Sequence, residues 1–215
     1  VLGRLGNPVH VSLLERVAGD ETCTLHLREA CIRGLGHIQR VEAVQGLSRL
    51  LSRLDNEKKR ESRGSALFRF VTRRYFSDAR WLEMDCVRAL ESTSQPETVE
   101  ALLRAHEGEM LSDHEMFHAL GNLGEHGARK LMELFPKLDG WARGYCMSAM
   151  AECQAPGAAS LIIPVLVDAS ASEEDLKYDH RIKAAKALGK LSDADAARAL
   201  AKVARDPTSD AELVD

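Results

Sequence analysis

The clearest chemical motif of the chain is His114-Glu115-Met116-Phe117-His118. Two histidines four residues apart share one helix face, where their ring nitrogens can bind Zn²⁺ with the intervening glutamate as general base. The third ligand of the extended motif would fall at position 124, where the chain has Gly124. The alternative is a helix with two exposed polar histidines. We expect no metal and no catalytic residue here, with His114 and His118 as the candidate ligands should one bind.

A second group of chemically active side chains lies in the segment 57–80, where eight basic residues stand against three acidic ones. Five of the ten aromatic residues lie in or beside this segment. Interleaved basic and aromatic side chains can bind nucleic acid or an acidic partner. The alternative is an amphipathic helix whose charged face is solvated. The candidate binding residues are Arg60, Arg63, Arg69, Arg73, Arg74, Arg80 and Trp81.

The elements that carry these residues repeat along the chain. A short block of the form Leu-Gly-x-Leu, or a variant of it, recurs at six anchor residues. Apolar residues before each anchor have helical spacing, and a small or polar break follows, so each copy is predicted to be helix A, a turn and helix B. The anchors are Leu2, Leu35, Leu90, Leu120, Met150 and Leu188. The predicted helix pairs lie near 24–54, 79–108, 112–136, 140–168 and 174–205, after an incomplete pair at 1–18.

The interval between the anchors Leu35 and Leu90 is longer than the others and leaves room for one additional helix, at about 57–77, with Asn56 as its cap. The predicted fold is an all-α, right-handed α-solenoid of about six helix pairs with this irregular helix. It forms a single domain over 1–206, followed by a polar tail at 207–215. Since Val1 stands inside a repeat, we expect the chain to be part of a longer protein or a trimmed one.

Composition narrows the classes of partner and compartment. The net charge of −4 gives no general attraction to nucleic acid or anionic membranes, and no apolar run is long enough to span a bilayer. Cys31, Cys86 and Cys146 share one repeat column with apolar residues, which indicates core positions rather than disulfides. A cytoplasmic location is therefore expected. Nothing in the sequence indicates a cofactor.

The repeat resembles the HEAT-repeat family, in particular its short bacterial form. The resemblance is carried by the residues 27–36, which read LREACIRGLG, and 182–189, which read IKAAKALG. It implies stacked helix pairs, in a family that includes scaffolds, phycobilin lyases, DNA glycosylases and a di-iron hydroxylase. His114-Glu115 followed by Leu120-Gly121 is similar to the repeat of deoxyhypusine hydroxylase. That enzyme needs four His-Glu pairs, and the other copies here lack them.

The function expected from the sequence is a non-catalytic protein–protein interaction scaffold that binds a protein or peptide partner on its repeat surface. Stacked helix pairs usually present their B helices on a concave side, and the outward residues of these helices are of mixed charge, which suits a protein partner. One alternative is binding of nucleic acid or an acidic partner through 57–80. The other is a metalloprotein or enzyme that uses 114–118, or a phycobilin-lyase-like activity.

Overall fold

A computed structural model describes residues 9–62, 78–93, 95–168 and 180–205. These residues form eleven α-helices and one 3₁₀ turn, Phe135–Lys137, with no β-strand in the ranges described. The prediction of an all-α fold is confirmed to that extent. No helix within these ranges is both long and apolar enough to cross a membrane. The helices are α1 Val9–Ala18, α2 Leu25–Gly36, α3 Val41–Ser62, α4 Asp78–Glu91, α5 Glu97–Glu107, α6 Asp113–Asn122, α7 Gly124–Leu134, α8 Gly140–Glu152, α9 Ala158–Val167, α10 His180–Lys190 and α11 Ala194–Ala204.

Residues 1–112 form the first of two compact units and contain α1 to α5. Within it α2 packs against α4, and α3 packs against both α4 and α5. Helix α1 lies against α2 and α3. The anchors Leu35 and Leu90 are fully buried, because each ends a helix whose apolar face is covered by the neighbouring pair.

Residues 113–215 form the second unit, with α6 to α11. Here α8 packs against α6 and α10, and α9 packs against α10 and α11. The paired helices α6 and α7 also touch, as do α8 and α9. The anchors Leu120, Met150 and Leu188 are again fully buried. In both units the first helix of a pair therefore packs against the first helix of the next pair.

Small residues in the repeat let these helices approach closely. A Cβ atom at Gly36, at the end of α2, would lie only 2.9 Å from the Cα atom of Ala89 in α4. At Gly121, in α6, it would lie 3.4 Å from the carbonyl oxygen of Ala149 in α8. The glycine after the anchor therefore has a packing role at these two positions. The column cysteines Cys31, Cys86 and Cys146 are buried, as predicted.

Two glutamines form hydrogen bonds between the turns of neighbouring helix pairs. Each of them stands four residues after an anchor. The side-chain Nε2 of Gln39 donates to the carbonyl oxygen of Ser92, at 2.8 Å. The Nε2 of Gln154 donates to the carbonyl oxygen of Lys190, at 2.7 Å, and its Oε1 accepts from the backbone N–H of Ser192, at 2.9 Å. Ser92 and Lys190 both stand two residues after their own anchors, so the contact recurs at the same repeat positions.

The end of α3 differs from the prediction. The helix runs without interruption through Asn56 to Ser62, and the Nδ2 of Asn56 donates to the carbonyl oxygen of Ser52 inside the helix. The expected cap at Asn56 is therefore wrong. Its strong capping preference is overridden because the residues after it favour helix and Lys59 pairs with Asp55 one turn earlier. The remainder of the predicted insert helix, 63–77, lies outside the described residues, as do 1–8 and the tail 207–215.

Candidate functional site

The second unit carries an open groove of about 260 Å³ between α6 and α8. Helix α6 contributes His114 and His118. The side chains that line the groove from α8 are those of Tyr145, Ser148, Ala149 and Glu152. The groove therefore combines ring-bearing, hydroxyl and carboxylate side chains in one place.

Three rings line the groove, two from α6 and one from α8. The rings of His114 and His118 stack, with centroids 6.3 Å apart and planes inclined by 26°. The ring of Tyr145 meets that of His114 edge to face, at 5.2 Å and 76°. The Nδ2 of Asn122 lies 3.4 Å from the Nδ1 of His118. The ring arrangement is the edge-to-face and stacked geometry that aromatic side chains favour.

Helix periodicity explains why these side chains meet. His114 and His118 are one turn apart on α6, and Tyr145, Ser148 and Glu152 follow one another at spacings of three and four on α8. The opposite faces of both helices are apolar and buried, which fixes the rotation of each helix about its axis. The buried residues are Met116, Phe117, Ala119 and Leu120 in α6 and Gly144, Cys146, Met147, Met150 and Ala151 in α8, whereas the buried Ala149 lines the groove.

Lysines of α10 reach the exposed face of α8 from the other side. The Nζ of Lys183 lies 4.0 Å from the ring centroid of Trp141 and 5.8 Å from that of Tyr145. The stem of this lysine crosses Gly144, where a Cβ would come within 2.6 Å of its Cδ. The Nζ of Lys190 lies 3.3 Å from Glu152, and about half of each of these two side chains is exposed.

The two histidines of the motif share a helix face, as the sequence predicts, and both are exposed. The described parts of the chain contain no group of three His, Cys, Asp or Glu side chains placed to hold a metal ion. Two imidazoles alone fall short of the three protein ligands of a catalytic zinc site. The residues that are described therefore do not complete the zinc centre that the motif could otherwise form.

The structure describes only part of the candidate basic site. Arg80 and Trp81 lie in α4, in the first unit. The Nη1 of Arg80 donates to Glu83, at 3.1 Å, and to the carbonyl oxygen of Met110, at 3.2 Å, so this arginine serves the fold. The side chain of Trp81 is 52% exposed. Arg60 falls in the last turn of α3, and Arg63, Arg69, Arg73 and Arg74 lie outside the described residues.

The buried thiols are not arranged as nucleophiles. Burial raises the pKa of Cys146 to about 12, and its Sγ donates to the carbonyl oxygen of Leu131. Burial raises the pKa of Cys86 strongly as well. Because the thiolate is the reactive form, both thiols are inert at neutral pH. They serve the core, as the repeat column predicts.

The charged face of α7 differs from the groove in being paired within itself. Arg129 pairs with Glu125 one turn earlier, at 2.9 Å. Glu133 pairs with Lys130 of the same helix, at 3.2 Å, and with Lys137 of the 3₁₀ turn that follows, at 3.5 Å. The mixed charge predicted for the outward B-helix residues is therefore present on this helix, and it is largely neutralised along the helix.

Sequence reasoning found the two histidines but missed Tyr145, Ser148 and Glu152. A signal was available: His118 and Ser148 each stand two residues before an anchor, so they occupy the same column on successive helices of one kind. Residues in such a column lie side by side when those helices pack. No protein-family model matches the chain, and no curated protein matches it.

Proposed function

We propose that the protein is a non-catalytic interaction scaffold that receives a peptide segment of a protein partner in the groove between α6 and α8. The size of the groove carries the proposal. Its volume of about 260 Å³ lies below the roughly 300–1,000 Å³ of pockets that enclose a whole small-molecule ligand. A groove of this size accommodates one side chain of a peptide.

The chemistry of the groove supports a peptide rather than a substrate. Tyr145 is half-buried and offers both a ring and a hydroxyl group, the combination for which tyrosine is enriched at interfaces. Ser148 and Glu152 add hydrogen-bonding groups at the same surface. The described residues complete no metal site, and the thiols of Cys86 and Cys146 are buried and unreactive, which is why we favour binding over catalysis.

We also propose that the helix pairs stack as HEAT-like units of an α-solenoid. The support is that helices of one kind pack together within each unit, α2 against α4 in the first and α6 against α8 against α10 in the second. Such arrays bury one continuous core and leave an extended surface for binding. The groove would then lie between the first helices of two neighbouring repeats.

Site-specific photo-crosslinking in the host cell tests the scaffold proposal. A photoreactive amino acid at Ser148, inside the groove, is expected to capture one discrete protein species, and the additional substitution Tyr145→Ala should remove most of that product. The same photoreactive residue at Glu125, which is exposed on α7, is the matched control. Equal products at both positions, or none at Ser148, would contradict a partner in the groove.

Charge reversal in the basic segment separates this proposal from nucleic-acid binding. Replacing Arg69, Arg73 and Arg74 with glutamate should leave capture at Ser148 unchanged if the partner occupies the groove. Nucleic acid held through these arginines would instead bind less tightly as salt is added and be lost in the triple variant. That result, with no capture at Ser148, would favour the basic segment as the functional surface.

A further inference from the structure

The groove has the composition of a site for a planar cation, and this inference rests on the proposed function. We propose that it receives the guanidinium group of an arginine side chain on the partner peptide. The guanidinium would stack on one of the two rings of His114 and Tyr145, which are inclined to each other by 76°, and bond to the carboxylate of Glu152. The occupant is thus a basic peptide segment with one arginine seated in the groove.

The charge of the lining favours a cation. Of the described side chains that line the groove, Glu152 is the one with a permanent charge, and it is negative, with Lys190 as its present partner. The faces of aromatic rings attract cations because their quadrupole is negative above the ring plane. An anion would instead meet the carboxylate of Glu152 at hydrogen-bonding range, which opposes its binding.

The protein already holds a cation on this helix. The ammonium group of Lys183 lies 4.0 Å from the ring centroid of Trp141 and is also within reach of Tyr145, at 5.8 Å. This distance is within the roughly 6 Å over which cation–π attraction operates. Trp141, the nearer of the two rings, therefore acts as a cation–π partner on the exposed face of α8. The groove presents the same Tyr145 together with two further rings.

Glu152 can exchange its present partner for that arginine. Its ion pair with Lys190 is exposed, with 51% and 57% of the two side chains accessible. Pairs of this kind contribute little to stability, so replacing one is easy. A guanidinium offers two parallel donors to a carboxylate and stacks on rings, whereas an ammonium group is a compact point charge. This geometry is the reason for choosing arginine over lysine.

Titration of the full chain with capped pentapeptides tests the proposal. The peptides have the form Gly-Gly-X-Gly-Gly, with X as arginine, citrulline, lysine or glutamate, and the readout is the NMR signals of the rings of His114, His118 and Tyr145. Citrulline has the shape of arginine without its charge. We expect saturable shifts with the arginine peptide and roughly ten-fold weaker binding with citrulline, since a charge-assisted bond and a cation–π contact are both lost.

Two substitutions with opposite expected effects on peptide binding make the test more specific. Glu152→Gln should weaken binding of the arginine peptide by roughly ten-fold, because a charged acceptor becomes neutral. Lys190→Ala should strengthen binding of the same peptide, because the ammonium group that competes for Glu152 is gone. Glu125→Gln, on the exposed face of α7, is the matched control and should change nothing. Circular dichroism checks that each variant keeps its helices.

Equal binding of arginine and citrulline peptides, preference for the glutamate peptide, weaker binding in Lys190→Ala, or no shift with any peptide would each overturn the proposal. The two proposals can fail separately. Capture of a partner at Ser148 without selectivity for arginine would keep the scaffold and reject the cation. Selective binding of the arginine peptide without a crosslinked product at Ser148 would reject the proposal of a protein partner in the host. It would still support the proposal that the groove binds a guanidinium group.

Discussion

At Gly36 a single missing methyl group allows α2 and α4 to touch. Gly36→Ala would place a Cβ 2.9 Å from the backbone Cα of Ala89 and 2.8 Å from the Oγ of Ser92. Backbone cannot yield as a flexible side chain can, so the helices must separate. We expect the free energy of unfolding to fall by about 1–3 kcal/mol, the usual effect of overpacking. Urea denaturation followed by circular dichroism measures it.

Gly189 provides the control for this substitution. It also follows an anchor, Leu188, but a Cβ there meets no described atom within 4 Å. Alanine is the better helix former, so Gly189→Ala should raise the free energy of unfolding by up to about 1 kcal/mol. If Gly189→Ala lowers the free energy of unfolding as much as Gly36→Ala does, close helix packing is not the cause of the loss at Gly36.

At the scale of elements, one arginine joins three helices of the first unit. The Nε of Arg28, in α2, donates to the carbonyl oxygen of Ala18 at the end of α1, at 2.8 Å. Its Nη2 lies 3.2 Å from Glu57 of α3, and the two side chains are only 7% and 13% exposed. Breaking such a pair leaves a largely buried carboxylate without its partner. Arg28→Ala should therefore lower the free energy of unfolding by about 3 kcal/mol.

Arg49 is the matched control for Arg28. It binds Glu15 of α1 through two nitrogens, each 2.7 Å from a carboxylate oxygen, but its side chain is 57% exposed. Exposed pairs contribute less than about 1 kcal/mol, so Arg49→Ala should have a small effect in the same denaturation experiment. If the two variants lose equal stability, burial does not determine the strength of these pairs.

The helices could be predicted from the sequence more completely than the groove. Apolar columns around anchors such as Leu35 and Leu120 specify which face of each helix is buried, and this is a local property. The end of α3 was misplaced because the capping preference of Asn56 is weaker than the helix continuing through it. The groove depends on side chains of different helices, such as His114 and Tyr145. Their distance depends on how closely the helices pack, which no single segment encodes.

At the scale of the molecule, the second unit should fold when it is made alone. Helices α6 to α11 bury their anchors against one another inside 113–215. We expect a fragment 113–215 to be helical and to unfold cooperatively with denaturant, as monitored by circular dichroism. A fragment starting at residue 124 lacks α6, uncovers one side of α8, and should be less stable. Equal stability of the two fragments would show that α6 adds nothing to this core.

The hydrogen bonds of Gln154 to the backbone of Lys190 and Ser192 lie outside the hydrophobic core. The residue that stands four positions after the anchor differs from one repeat to another. Gln154 adopts a left-handed backbone, with φ of +52°. The equivalent residue after the anchor Leu120 is Gly124, with φ of +57° and no atom within 4 Å of an added Cβ. Two turns of the repeat thus share a left-handed residue at this position, and a bridging amide stands there in one of them. The stiffness of each joint between helix pairs can therefore evolve by a single exchange at the surface, while the interior packing stays the same.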